Sequence, residues 1–490
     1  MDSARPEIRL DSIAATKVLA IIAGFLLAFL TGWFIVAGYN TLTTAMVCAA
    51  AAMSLVALIN PKAGLYLLII VTGYLDLTKR LGVLTDSLSE FDISVTLAVA
   101  PALMLAICIG VLIRHVLERK KMEKWQLTLL LIVISLMAAV AVQSFHEGGG
   151  ILNSAQNFLY TGGYLPLIII TSIIFPKPEE GTKVLRFALW VYLPVALYGI
   201  WQQFFGFSDF EHRFLESGFT MTVGDLDEAR PRPFSTLNSP HTLSVCTAIF
   251  AGVSLLIPLK REKRCLWQFP MGVLYAVSCV ATLGRSGIFI IPIFLIAYLC
   301  FRKGWSTWAF YGAILGALVL LMINAEPVLK SLGSLEDMLP ITDDVSEEAF
   351  HLGTFSERLM SFTNALNNPQ FHTLFGNPEA AKPDALHSYE ETVAHDQITQ
   401  TLVRYGFVGL AFSALMASIG LWFGHRIVLR LTEPIKRNIA IAILSIVASV
   451  IYSGMLFGSH LALFPVDVFL ALLIGILVVC CLSPQKSVPA

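Results

Sequence analysis

The chain has 490 residues, of which 56% are hydrophobic and only 14% charged, with a formal net charge of −1. Soluble domains carry about 25% charged residues, and here the deficit runs the whole length, which excludes a soluble body on a single anchor. The long apolar runs are too uniform for alternating barrel strands, and in lipid only helices and closed barrels satisfy their own backbone. The fold class is therefore all-α: a polytopic integral membrane helical bundle with about 14 transmembrane helices and a large, partly helical outer loop.

Arg5, Arg9 and Lys17 precede the first apolar run and no cleavage pattern follows it, so it reads as a retained span. In chain order the predicted spans are 18–38, 42–60, 64–78, 93–113, 125–145, 158–175, 185–206, 243–259, 266–283, 287–301, 307–325, 402–424, 438–458 and 465–482. The eight cysteines lie in or beside these runs and none lies in the long loops, so no disulfide framework or zinc site is indicated there.

Lysine and arginine in short loops set the orientation. Arg114, Arg119, Lys120, Lys121 and Lys124 form one cluster. Lys260, Arg261, Lys263 and Arg264 form a second, Arg302 and Lys303 a third, and Arg426, Arg430, Lys436 and Arg437 a fourth. All fall on one side, with both termini, and that side is expected to be cytoplasmic. The chain then divides into N-terminal spans (1–206), a first outer loop (207–242), spans 243–325 with an outer turn at Arg285, an outer loop (326–401) and C-terminal spans (402–490). The 326–401 loop holds 13 acidic residues against 3 basic ones. Leu359, Phe362 and Leu366 sit at helical spacing within 356–368, so a short helix is expected there, and the acidic stretch 335–348 has little to bury.

Ionisable residues are scarce in the middles of the spans, which argues against a charged midplane site of the ion-coupled kind. Candidate chemistry moves to the outer surface, where Arg232, Arg285, Arg358 and His395 stand out. Read singly, each arginine is equally an interfacial side chain snorkelling to headgroups. A lone histidine at a helix start is more often a cap or a surface residue than a catalyst. Glu390, Glu391 and Asp396 flank His395, although an acidic loop is usually just solvated. No GxxxxGK[ST], GxGxxG or HExxH motif occurs.

Taken together and in order, four segments resemble the O-antigen ligase and polymerase superfamily (WaaL/Wzy type) of bacterial envelopes. RPFSTLNSPH at Arg232 resembles its segment before a span, and GRSG at Arg285 its turn between spans. SERLMSFTNALNNPQFHTLFGNP, with Arg358, Pro369 and Gly376, resembles its outer loop. AHDQITQTLVRYGFVG, with His395, Gly406 and Gly409, resembles its closing segment. The resemblance covers roughly 225–425 and departs from the usual pattern at Asp396, His241, Ser235, Gly284 and Arg404.

The resemblance implies a glycan donor on undecaprenyl pyrophosphate, a glycan acceptor, membrane lipid as surroundings, and chain-length regulator and export proteins as partners, with no nucleic acid. It implies a multi-pass protein of the bacterial inner membrane with its active site on the periplasmic side, no cofactor and no metal. His395 is the expected general base; Arg285, Arg358 and Arg232 are expected to bind pyrophosphate, with Arg230, His241, Glu390, Glu391 and Asp396 as accessory positions. Arginine forks suit phosphate oxygens and stay charged. Polymerase is preferred to ligase because so acidic a loop would repel a phosphorylated lipid A–core. Transfer to a protein acceptor and the activity of a lipid-linked glycan flippase compete with both. The four named residues are expected to meet in one outer cavity.

Overall fold

The computed structural model describes residues 41–85, 89–118, 122–146, 150–216, 232–259, 265–282, 284–304, 365–366, 373–377, 397–457, 461 and 463–482. Among these residues there are fourteen α-helices and no strands. They are α1 (Thr41–Ile59), α2 (Pro61–Leu81), α3 (Glu90–Leu117), α4 (Lys124–His146), α5 (Gly150–Gly162), α6 (Leu167–Ile174) and α7 (Pro178–Phe205). The chain continues with α8 (Asp209–Glu216), α9 (Pro240–Leu256), α10 (Gln268–Ala281), α11 (Arg285–Arg302), α12 (Gln397–Leu429), α13 (Pro434–Phe457) and α14 (Val466–Leu482). Six of them are long and apolar enough to cross a membrane on their own count. The all-α, polytopic membrane architecture expected from the sequence is the one observed.

The helices correspond one for one to predicted spans, with two exceptions. The sixth span is broken into α5 and α6, because Gly162, Gly163 and Pro166 interrupt the helical ladder. The first outer loop is not wholly irregular, since α8 forms within it, burying Glu211, Phe214 and Leu215 on one side. The first span (18–38), the eleventh (307–325), the 335–348 stretch and most of the 356–368 helix lie outside the described residues; Ala365 and Leu366 of that helix are helical.

Helix starts follow local chemistry. Asn60 caps α2 through the Ala63 N–H, with Pro61 at the first helical position. Ser89 and Asp92 form a reciprocal capping box at α3. Ser239 caps α9 through the Thr242 N–H at 3.2 Å, again followed by a proline.

Burial separates centre from rim. Of the α13 span 78% is buried, against 11% for those of α1 and α12, so α13 is central and the other two are peripheral. Helix α9 is buried around nearly its whole circumference, and α14 along most of its length. Large apolar side chains such as Leu105, Leu112, Leu131 and Phe412 point outward instead. In water that would be a large exposed patch; in a bilayer it is the lipid-facing surface.

Contacts between helix ends sort into two faces. On one, Arg114 donates to the Ile59 carbonyl and Lys62 pairs with Glu180 at 3.1 Å. On the other, Arg80 meets Glu211, Thr43 meets Asp92, Gln143 meets Tyr405, and Ser453 donates to the Ser286 carbonyl at 2.6 Å. The alternation agrees with the span count: the ends bearing Lys62, Arg114, Arg302 and Arg426 share one face, and the segments bearing Arg232 and Arg285 the other. The latter is called the outer face below.

Candidate functional site

The first outer segment is a built structure. From Pro233 to Leu237 every residue is buried, whereas Arg232 is partly exposed. The Gln202 side-chain oxygen, at the end of α7, accepts from the backbone N–H groups of Phe234 (3.1 Å) and Ser235 (2.6 Å). Thr236 donates to the Gly73 carbonyl at 2.6 Å, and the Ser235 hydroxyl to that of Val195. Ser235 has φ +54°, a left-handed conformation that disfavours side chains. A glycine would carry no such penalty; here the hydroxyl's bond to Val195 helps hold the strained residue.

Beneath this segment lies a cluster that reading the sequence missed. Arg80, at the outer end of α2, is 1% exposed and pairs with the fully buried Glu211 at 3.3 Å. Its guanidinium donates to the carbonyls of Ser235 and Leu237 and lies 4.3 Å from the Phe234 ring centre. Glu211 also accepts from Gln202 (2.7 Å), the Ser208 N–H (3.0 Å) and the Ser208 hydroxyl (2.8 Å). The neighbouring Lys79 pairs with Asp76 at 3.4 Å and donates to the Asn238 side chain at 3.2 Å. A signal for the cluster was present: Lys79 and Arg80 are adjacent cations at the outer end of a span, against the positive-inside bias.

The second element, the GRSG turn, packs against α9, the helix into which the first segment leads. Gly284 caps α11, and its carbonyl accepts from the Ser244 hydroxyl on α9 at 2.8 Å. A Cβ at Gly287 would lie 2.1 Å from the Ser244 hydroxyl oxygen and 2.5 Å from its backbone oxygen. A Cβ at Gly284 would lie 2.5 Å from the Ser244 Cβ, so glycine suits the close packing here. Arg285 is the first residue of α11, and its side chain lies outside the described residues.

The third and fourth segments form another pair. Helix α12 is broken at Gly406, which has φ +65°. There the helical ladder is replaced by bonds to the 373–377 segment. The Phe407 N–H goes to the Thr373 carbonyl (3.4 Å) and the Val408 N–H to that of Leu374 (3.1 Å), while the Asn377 N–H takes the Val403 carbonyl (2.7 Å). Gly376, with φ +83°, would place a Cβ 2.3 Å from the Arg404 carbonyl carbon. Gly376 and Gly406 therefore serve a backbone clamp between the large loop and α12. The two pairs are linked through α13, whose Ser453 holds the Ser286 carbonyl and which packs along α12.

Of the individual candidates, Arg232 stands on the anchored segment and His241 is partly exposed in the first turn of α9. Arg230, Arg358, Glu390, Glu391, His395 and Asp396 lie outside the described residues. In the chain, His395 comes two positions before the first residue of α12. Close to the first pair, an apolar groove of 510 Å³ runs between α7 and α10, lined by Ile200, Gln203, Phe204, Val273 and Val277. Gln203 follows the Gln202 anchor, and the groove reaches Ala281, four residues before Arg285.

No curated protein matches the chain. Residues 270–414 match the family model Wzy_C, described as O-antigen ligase. The match takes in the GRSG turn, the large outer loop and the Gly406 clamp; the Arg232 segment lies upstream of it. Over that stretch, which also forms part of an all-helical membrane architecture, the chain is similar to the O-antigen ligase family.

Proposed function

We propose that the protein is a polysaccharide polymerase of the inner membrane. It transfers a glycan from undecaprenyl pyrophosphate to the acceptor hydroxyl of another lipid-linked repeat unit at the periplasmic face. The observation that carries this reading is the family match over 270–414, which contains three of the four motif segments. The clamp between the large loop and α12 supports it, as does the contact of the GRSG turn with α9, the helix that follows the Arg232 segment.

In this reading His395 takes the proton of the acceptor hydroxyl. The oxygen attacks the anomeric carbon, the bond from that carbon to the pyrophosphate oxygen breaks, and undecaprenyl pyrophosphate leaves. Arg285, Arg358 and Arg232 bind the departing anion, each charged hydrogen bond contributing about 1.5–3 kcal/mol. Arg230, His241, Glu390, Glu391 and Asp396 are accessory positions. This mechanism requires the four principal side chains to meet in one outer cavity, and it assigns the apolar groove beside α7 and α10 to the polyprenyl tail. The donor is already activated, so no nucleotide or other cofactor is needed.

The test is incubation of purified protein with a defined lipid-linked repeat unit, with a radiolabelled lipid A–core acceptor in parallel. Longer lipid-linked chains are expected. Label transfer confined to the core acceptor would replace polymerase by ligase, the activity in the family description. Transbilayer movement of the lipid without any new glycosidic bond would point to a flippase.

Two further outcomes are expected. Exhaustive chelation leaves turnover unchanged, because arginine and not a cation stabilises the leaving group; abolition by chelator with rescue by magnesium or manganese would bring Glu390, Glu391 and Asp396 forward as ligands. A cysteine introduced at Ala385 reacts with an impermeant thiol reagent in intact spheroplasts. Protection of that site until the membrane is opened would reverse the orientation.

A further inference from the structure

We infer that Arg80 is a positioning residue for donor recognition, acting through Arg232. The inference rests on the reading that Arg232 binds the donor's pyrophosphate. Arg80 lies far upstream of the family domain, on α2. At 1% exposure it is too deep to touch a substrate, and its guanidinium is committed to Glu211, to two carbonyls and to the Phe234 ring. What it holds is the backbone of Phe234 to Leu237, a stretch with no helix or strand of its own to fix it. Gln202 grips the same stretch by its N–H groups while Arg80 grips it by its carbonyls, and Glu211 bonds to both side chains.

The link from this grip to Arg232 is short and stiff. Pro233 alone separates Arg232 from Phe234, and its ring locks its own φ. The same ring restricts Arg232 to extended conformations, since a residue before proline is kept out of the helical region. Fixing Phe234 therefore fixes where the Arg232 Cα lies and which way its side chain leaves the surface. Burial changes at this point, from buried Pro233 to partly exposed Arg232. A buried ion pair adds little net stability over apolar packing, and its best-attested use is to specify one arrangement. Here the arrangement specified is that of a phosphate-binding arginine.

The experiment measures donor KM and kcat for Arg80→Lys, Arg232→Ala and the double variant, using the lipid-linked repeat unit and purified protein verified as folded by its melting curve. Lysine keeps the charge but lacks the fork that spans two carbonyls and a carboxylate. Arg80→Lys is expected to raise donor KM about tenfold with kcat within about twofold. In the Arg232→Ala background the same substitution should change KM by less than about twofold, because the residue it acts through is gone. Effects that multiply in the double variant, a fall in kcat at constant KM, or a parent-like KM in Arg80→Lys would each overturn the inference. If Arg232→Ala itself leaves donor KM unchanged, the assignment of Arg232 under the proposed function falls, and this inference with it. Should Arg80→Lys not fold, Glu211→Gln carries the same test, since it keeps the side chain's shape while removing the charge facing Arg80 and turning one accepting oxygen into an amide donor.

Discussion

Replacing His395 by alanine is expected to lower turnover by roughly 10²–10⁴-fold, the usual contribution of a general base, while donor binding stays near that of the parent. The split follows from the division of labour proposed for the site. In that proposal the arginines meet the pyrophosphate in the ground state and in the transition state, so they influence donor affinity. The histidine, in the same proposal, meets only the acceptor hydroxyl, and its contribution appears when the proton moves. His395 lies two residues before α12, whose outer end is fastened to the 373–377 segment by three backbone hydrogen bonds. The measurement is single-turnover extension of a lipid-linked repeat unit alongside equilibrium binding of the donor. Near-normal polymer output from His395→Ala would remove the mechanism and leave the family standing.

The second large effect is expected at Gly406. An alanine there must adopt φ +65°, and its Cβ would lie 2.3 Å from the Thr373 carbonyl oxygen, 2.4 Å from that of Leu374 and 2.5 Å from the Gly376 nitrogen. All three neighbours are backbone atoms, so no side chain can swing aside. The left-handed conformation costs about 1–2 kcal/mol and the overpacking about 1–3 kcal/mol more. The clamp can relieve this only by releasing the segment, which frees the outer end of α12. Gly406→Ala should therefore melt at a clearly lower temperature than the parent and lose most of its turnover. Gly420, farther along the same helix, is the control: a Cβ there meets nothing within 4 Å, and its change to alanine should stabilise by up to about 1 kcal/mol. Equal melting temperatures for the two variants would show that the clamp is not a constraint.

The amino-acid sequence by itself determined the class of fold, the order of the spans among the described residues, and which of their ends share a face. Twelve of the predicted spans fall on described helices, because partition into lipid depends on the apolar content of about 20 consecutive residues, a local property. The motif segments were legible for a related reason: each is a short string with its own chemistry. Their glycines announced a backbone constraint without saying what they approach. Only the tertiary structure decided that Gly284 and Gly287 clear Ser244 on α9, and that Gly376 and Gly406 clear each other's segments. It also decided the place of Arg80, whose partner Glu211 is 131 residues away and whose carbonyl acceptors lie farther still. A buried charge is tolerable only when such distant groups converge on it, and convergence across helices leaves no periodic trace in the chain. The break between α5 and α6, at Gly162, Gly163 and Pro166, was written in residue types, yet it was hidden by an apolar run whose composition reads as one span.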